Sequence, residues 1–168
     1  MFRLSAEMAV IRLYDAWARF CRELVILSAG GAPHTANGIP VPRAPGIRGI
    51  KDVIPTLMQT YSRRRFEPGW ARGSECIDAA VRLRINNLMT VQAAIGATNS
   101  PAEELRLVRN FFAHRSLSSA QEIYQQNWHP SGNRLNIENL TARMTTGGVT
   151  VMESWILNLQ IVAEVAIQ

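Results

Sequence analysis

The chain has 168 residues, a mass of 18.7 kDa and a formal net charge of +5 at pH 7. This length is typical of one domain, and we expect a single domain over residues 1–168. Apolar residues make up 47% and charged residues 18% of the chain, a balance that excludes a disordered tail and argues against a membrane protein.

The basic residues are almost all arginine, because Lys51 is the only lysine among the eighteen cations. Arginine binds phosphate through two N–H groups at once and stacks on bases, so this composition favours a polyanionic partner such as RNA. A GC-rich genome produces the same bias, and composition alone does not choose between these explanations.

The predicted location is the cytoplasm. Cys21 and Cys76 lie in apolar, helix-like stretches without a nearby partner, which predicts buried free thiols in a reducing compartment. The first residues lack the continuous apolar region of a signal peptide. Polar residues interrupt the apolar segment 151–168, so we expect no span across a membrane.

The first predicted element is a long amphipathic helix over residues 4–29, which ends at Gly30 and Gly31. Residues 30–49 follow with five of the eleven glycines and four of the eight prolines. This density of helix breakers predicts a long loop, and loops of this length tend to be functional or mobile.

Further helices are predicted from apolar spacing and from start signals. They cover residues 51–61, 74–97, 100–115, 119–128, 137–144 and the segment from Met152 onward. Ser100 and Glu103 form a capping-box pattern with Pro101 at the first helical position. No convincing strand pattern is present, so we predict an all-α fold: an up-down bundle of four main helices with shorter accessory helices.

Metal sites and other cofactors are not expected. The three histidines, His34, His114 and His129, lie far apart in the sequence, and no pair of cysteines or histidines has the spacing of metal ligands. No glycine-rich loop follows a strand, so a phosphate loop is not expected either.

The strongest candidate site is Arg109, Asn110 and His114, near the end of the helix that begins at Ser100. Asn110 and His114 are four positions apart and share a helix face, whereas Arg109 and His114 are separated by about 140° around the axis. Two copies of this helix paired across a two-fold axis would bring both sets of side chains around one groove. Histidine can transfer protons near neutrality and arginine can stabilise a phosphorane-like charge, so the set suits cleavage of RNA without a metal.

The segment ELRLVRNFFAHRS resembles the active-site helix of HEPN domains. The signature of that family is an arginine, a polar residue that is often asparagine, and a histidine after four to six intervening positions. The resemblance implies a helical bundle that forms a homodimer along the motif helix and a metal-independent endoribonuclease. It also implies products with 2′,3′-cyclic phosphate and 5′-hydroxyl ends, with Arg109, Asn110 and His114 as the catalytic residues. Many such proteins are toxins paired with an antitoxin protein, or effectors of anti-phage defence.

Other basic residues are candidates for contact with the substrate. Arg115 follows the motif directly, and Arg63, Arg64 and Arg65 form the only cationic run in the chain. One HEPN subgroup, paired with nucleotidyltransferase antitoxins, carries a modified tyrosine two positions after the histidine. This chain has Ser116 at that position.

Three interpretations remain open at this stage. The first is the HEPN-type endoribonuclease, with RNA as substrate. The second is a non-catalytic HEPN-like module that binds RNA or a partner protein. The third is a helical adaptor in which the motif is structural, with Arg109 paired to a carboxylate and His114 favoured by its position near a helix C-terminus.

Overall fold

The computed structural model describes residues 2–31, 36–61, 66–96, 99–125, 137–142, 145 and 147–168. Within these residues the protein is all-α and its helices pack into a bundle, which confirms the predicted fold class. The helices are α1 (Phe2–Gly30), α2 (Ile50–Thr60), α3 (Gly73–Leu83), α4 (Leu88–Gly96), α5 (Asn99–His114), α6 (Leu117–Tyr124), α7 (Ile137–Ala142) and α8 (Val151–Ala166). None of these helices combines the length and the apolarity that a membrane span requires.

Helix α1 is the centre of the bundle. Val10, Trp17, Cys21 and Val25 recur at spacings of three, four or seven and are all buried on its inner face. This face packs against α2, α3, α5 and α8. The resulting core is one cluster that extends from Val10 to Ala166.

Helices α1 and α5 run antiparallel, and this pairing positions the candidate motif. Glu7 contacts Arg115 near the start of α1, and Tyr14 contacts Arg109 two turns later. Residue numbers therefore rise along α1 as they fall along α5. The last turns of α5 lie beside the first turns of α1.

The predicted helix over 74–97 is wrong as a single element, because residues 84–87 separate α3 from α4. Arg84 adopts a left-handed conformation with φ of 53°, and its N–H bonds to the carbonyl groups at the end of α3. Asn86 Nδ2 donates to the Pro42 and Arg43 carbonyls, and Asn87 Nδ2 donates to Ser28 Oγ. These tertiary bonds hold the two asparagines outside a helix, a competition that apolar spacing does not reveal.

The described part of the glycine- and proline-rich loop packs against the end of α1. Ala44 N–H donates to the Ala29 carbonyl at 2.9 Å, and Arg43 Nε donates to the Gly30 carbonyl at 3.1 Å. Arg43 thus places a cation at the C-terminus of α1, where the helix dipole favours it. Gly31 is needed at the turn because its φ is +69° and a Cβ there would meet the Arg43 backbone at 2.9 Å. His34 lies outside the described residues.

The two cysteines contact each other, so the expectation that they lack a nearby partner is wrong. Both thiols are free and buried, as predicted, and Cys76 Sγ lies 3.8 Å from the Cys21 carbonyl. Hydrogen bonding to Cys76 and burial together raise the pKa of the Cys21 thiol well above its ordinary value. The contact joins α1 to α3 within the core.

Two helix starts lie within one residue of the prediction. Helix α5 begins at Asn99, and the Glu103 carboxylate binds Arg106. Helix α8 begins at Val151 with a complete capping box, in which Thr150 Oγ1 accepts from Glu153 N–H and Glu153 Oε2 accepts from Thr150 N–H.

Candidate functional site on helix α5

Helix α5 presents the motif because its apolar residues fix the orientation of its faces. Leu105, Val108 and Phe112 are buried against α1, α6 and α8. The prediction that one helix carries the three motif residues is confirmed, since α5 continues without a break to His114. Arg109 and Asn110 are consequently half-buried, and His114 is exposed at the last helical position.

Arg109 is held by an aromatic ring and by its neighbour on α5. Its guanidinium carbon lies 5.3 Å from the centre of the Tyr14 ring, within the range of a cation–π interaction. Its Nη1 is 3.5 Å from Asn110 Oδ1, at the long limit of a hydrogen bond. Its Nε is buried and has no hydrogen-bond partner within the described residues. A buried unpaired donor of this kind costs stability and calls for an explanation, which a ligand oxygen can supply.

No carboxylate of the described residues forms an ion pair with Arg109. The structural interpretation, in which Arg109 pairs with a carboxylate, therefore finds no support in this part of the chain. The positive charge of Arg109 is positioned on α5 without being neutralised there.

His114 ends α5 at the molecular surface. Its imidazole makes no hydrogen bond or ion pair with any residue that the structure describes, and the side chain is exposed. Ser116, two positions later, begins α6, and its Oγ accepts from Ser119 N–H at 3.2 Å. The hydroxyl at the position of the HEPN subgroup's modified tyrosine is thus engaged in a helix cap.

Arg115 connects α5 to α6 in a left-handed conformation with φ of 45°. Its N–H still bonds to the Phe111 carbonyl at 2.7 Å, so the backbone at this turn is well defined. Its Nη2 donates to Glu7 Oε1 at 2.8 Å and to Oε2 at 3.0 Å. The predicted substrate-binding residue is therefore paired within the bundle, beside the exposed His114.

The structure brings the predicted residues together only in part. Arg109 contacts Asn110, and Arg115 is adjacent to His114, but no contact joins Arg109 to His114 within one copy of the chain. Arg63, Arg64 and Arg65 lie outside the described residues, as does His129. Among the residues that are described, no group of three or more histidine, cysteine or acidic side chains is arranged to hold a metal ion.

Two residues of this region were missed by sequence reasoning. Tyr14 and Glu7 contact Arg109 and Arg115 from α1. They are seven positions apart and thus lie on the same helix face, a spacing that is visible in the sequence. The antiparallel pairing of α1 with α5, which aims this face at the motif, is not visible there.

A cleft of about 380 Å³ lies near the N-terminal half of α5. It is lined by Ala71, Arg72, Gly73, Ser74, Ala102, Glu103 and Arg106. None of the motif residues lines it, and both of its arginines are paired with glutamates, Arg72 with Glu75 and Arg106 with Glu103. The cleft is therefore distinct from the candidate site.

Comparison of the chain with family models, with curated proteins and with solved structures finds no match in any of the three. The interpretation of the site consequently depends on its residues and their geometry.

Proposed function

We propose that the chain is a metal-independent endoribonuclease of the HEPN type. The observation that carries the proposal is the presence of two residues on one helix. Arg109 is held over an aromatic ring with no carboxylate partner among the described residues, and His114 is exposed. Asn110, between them on the half-buried side of α5, contributes an amide beside the guanidinium. The resemblance to the HEPN signature assigns the same three residues.

The reaction uses a nucleophile that RNA provides. The 2′-hydroxyl attacks the adjacent phosphorus, a P–O2′ bond forms, and the P–O5′ bond breaks to leave a 2′,3′-cyclic phosphate. Histidine accepts the proton of the 2′-hydroxyl, and a protonated imidazole or a water molecule donates a proton to the departing 5′-oxygen. Arg109 stabilises the additional charge of the five-coordinate phosphorus, and Asn110 orients the phosphate or the imidazole. The protein needs only to position the strand and to move charge and protons.

A homodimer is part of the proposal because Arg109 and His114 do not converge within one copy. Pairing two α5 helices across a two-fold axis lets the arginine of one copy act with the histidine of the other. The proposed cellular role is that of a cytoplasmic toxin or a defence effector, restrained by an antitoxin or another partner protein.

The direct test is cleavage of purified tRNA in the presence of EDTA by the wild-type protein and by His114→Ala. We expect cleavage by the wild type, and a rate lowered by about 10²–10⁴-fold in the variant, the contribution of general acid–base catalysis. Circular dichroism and sedimentation should show the same fold and the same assembly for both proteins, since His114 is exposed. Unchanged cleavage by His114→Ala, or complete loss of wild-type cleavage in EDTA, would contradict the mechanism.

The second candidate is a non-catalytic module that binds RNA. It is favoured by the absence of a contact between Arg109 and His114 within one copy, because a binding surface requires no such convergence. This candidate predicts RNA affinity that falls steeply with salt, without any cleaved product. Cleavage that depends on His114 would exclude it.

A further inference from the structure

The contact between Glu7 and Arg115 is built differently from two other arginine–glutamate pairs of the bundle, those of Arg22 with Glu67 and of Arg106 with Glu103. Arg22 and Arg106 each use Nε and Nη2 against the two oxygens of one glutamate. Arg115 instead places a single nitrogen, Nη2, against both oxygens of Glu7, at 2.8 and 3.0 Å. Its Nε and Nη1 make no hydrogen bond within the described residues.

This geometry matters because arginine binds a phosphate through two neighbouring N–H groups. One two-point face consists of Nε with Nη2, and the other of Nη1 with Nη2. Nη2 contributes one N–H group to each face, and the Glu7 carboxylate lies against this nitrogen, so its negative charge borders both faces. A phosphate that binds Arg115 at two points must therefore compete with the Glu7 carboxylate for Nη2.

Burial shows which partner can move. The Arg115 side chain is 59% exposed, whereas that of Glu7 is 18% exposed. The guanidinium lies outermost, on a left-handed turn that immediately follows His114. It can exchange Glu7 for an anion in solvent without leaving the surface, and exposed ion pairs are weak enough to permit this exchange.

We propose that Glu7 is an internal competitor for RNA, which occupies the phosphate-binding face of Arg115 until an RNA phosphate displaces it. The inference rests on the proposed function and adds a regulation to the same site. Glu7 thereby lowers the affinity of the protein for RNA. The first turns of α1, which carry Glu7, regulate the binding of substrate beside His114.

The test measures binding of a short fluorescein-labelled single-stranded RNA by anisotropy, with all variants in the His114→Ala background so that no RNA is cleaved. Glu7→Gln should tighten the Kd by about two- to five-fold, the factor that corresponds to an exposed ion pair. Glu23→Gln is the matched control, because Glu23 is an exposed glutamate on the same helix and the charge change is the same. It should change the Kd by less than about 1.5-fold if long-range charge is a minor effect.

A double-mutant cycle then assigns the effect to Arg115. In the presence of Arg115→Gln, Glu7→Gln should have no larger effect than Glu23→Gln, because the face that Glu7 blocks is absent. Glu7→Ala repeats the measurement without the glutamine side chain, and thermal unfolding verifies that each variant is folded.

The outcomes separate this inference from the proposed function. RNA binding with equal effects of Glu7→Gln and Glu23→Gln would overturn the competitor role and leave the ribonuclease proposal intact. Tightening by Glu7→Gln that persists in the Arg115→Gln background would also overturn it. Absence of RNA binding by every protein would overturn both proposals.

Discussion

Arg106 and Arg109 lie one turn apart on α5, but their surroundings differ. Arg106 donates from Nε and Nη2 to both oxygens of Glu103, and its side chain is only 17% exposed. This hydrogen bonding raises the pKa of Arg106 and lowers the pKa of Glu103. Arg109 instead lies over the Tyr14 ring with a buried Nε that has no partner among the described residues.

The difference separates an arginine that stabilises the bundle from one that is available to a ligand. The charge of Arg106 is balanced by a neighbour on its own helix, so its role is complete within the fold. The charge of Arg109 is held in place by an aromatic ring, which leaves it unbalanced. Buried donors are usually hydrogen-bonded, and we propose that a phosphate oxygen is the partner of Arg109 Nε.

The largest expected effect is a loss of RNA cleavage when Arg109, but not Arg106, is replaced. Arg109→Gln should lower the rate of RNA cleavage by about 10²–10³-fold, the usual loss when one donor to a developing negative charge is removed. Arg106→Gln should lower the same rate by less than about three-fold, since Arg106 is committed to Glu103. Single-turnover cleavage of tRNA measures both. Equal losses in the two variants would remove the distinction between the arginines.

A smaller effect should follow from changing the ring beneath Arg109. Tyr14→Leu should lower cleavage by about two- to five-fold, because a cation–π contact at a partly exposed site is worth about 0.5–1 kcal/mol. Tyr14→Phe retains the ring face and should restore most of the rate. Cleavage by Tyr14→Phe that is as low as that of Tyr14→Leu would show that the hydroxyl, and not the ring, supports the site.

The two variants should rank in opposite order for stability and for activity. Arg106→Gln should lose more stability, and Arg109→Gln should lose more activity. Arg106→Gln should lower the free energy of unfolding by about 0.2–1 kcal/mol, the range for a pair whose glutamate is half-exposed. Arg109→Gln should change it by less than about 0.5 kcal/mol, because the lost contact with Tyr14, worth about 0.5–1 kcal/mol, is offset by relief of a buried unpaired donor. Urea unfolding at neutral pH compares them. A larger loss of stability in Arg109→Gln would assign that residue a structural role.

The smallest effect is the pH dependence of the Glu103–Arg106 pair. Hydrogen bonding to Arg106 lowers the pKa of Glu103 below its ordinary value of 4.5. A lowered carboxylate pKa contributes stability that is fully present above the unfolded pKa and is lost as pH falls through the folded pKa. The difference in Tm between wild type and Arg106→Gln should therefore be largest above about pH 5 and should shrink below pH 4.5. A constant difference across this range would mean that the lost stability is not electrostatic.

Much of the fold could be predicted because it depends on local patterns. The apolar spacing from Leu4 to Ala29 predicts α1, and the spacing over Leu105, Val108 and Phe112 predicts α5. The end of α3 could not be predicted in this way. Asn86 and Asn87 leave the helix to bind Pro42, Arg43 and Ser28, and these partners are distant in the sequence.

For the candidate site too, positions within one helix could be predicted, whereas contacts from another helix could not. The positions of Arg109, Asn110 and His114 on one helix followed from their spacing alone. The partners that give these residues their character, Tyr14 for Arg109 and Glu7 for Arg115, come from the antiparallel neighbour α1. A single sequence does not specify which helix lies beside α5, so neither contact could be predicted.

The most direct measurement of the central claim is the chemistry of the ends that the wild-type protein leaves on RNA. After incubation with tRNA in EDTA, we expect fragments that polynucleotide kinase can label at the 5′ end without prior phosphatase treatment, and 3′ ends that carry a 2′,3′-cyclic phosphate. These ends are the direct products of attack by the 2′-hydroxyl. Fragments with 5′-phosphate and 3′-hydroxyl ends, or intact RNA, would contradict the account.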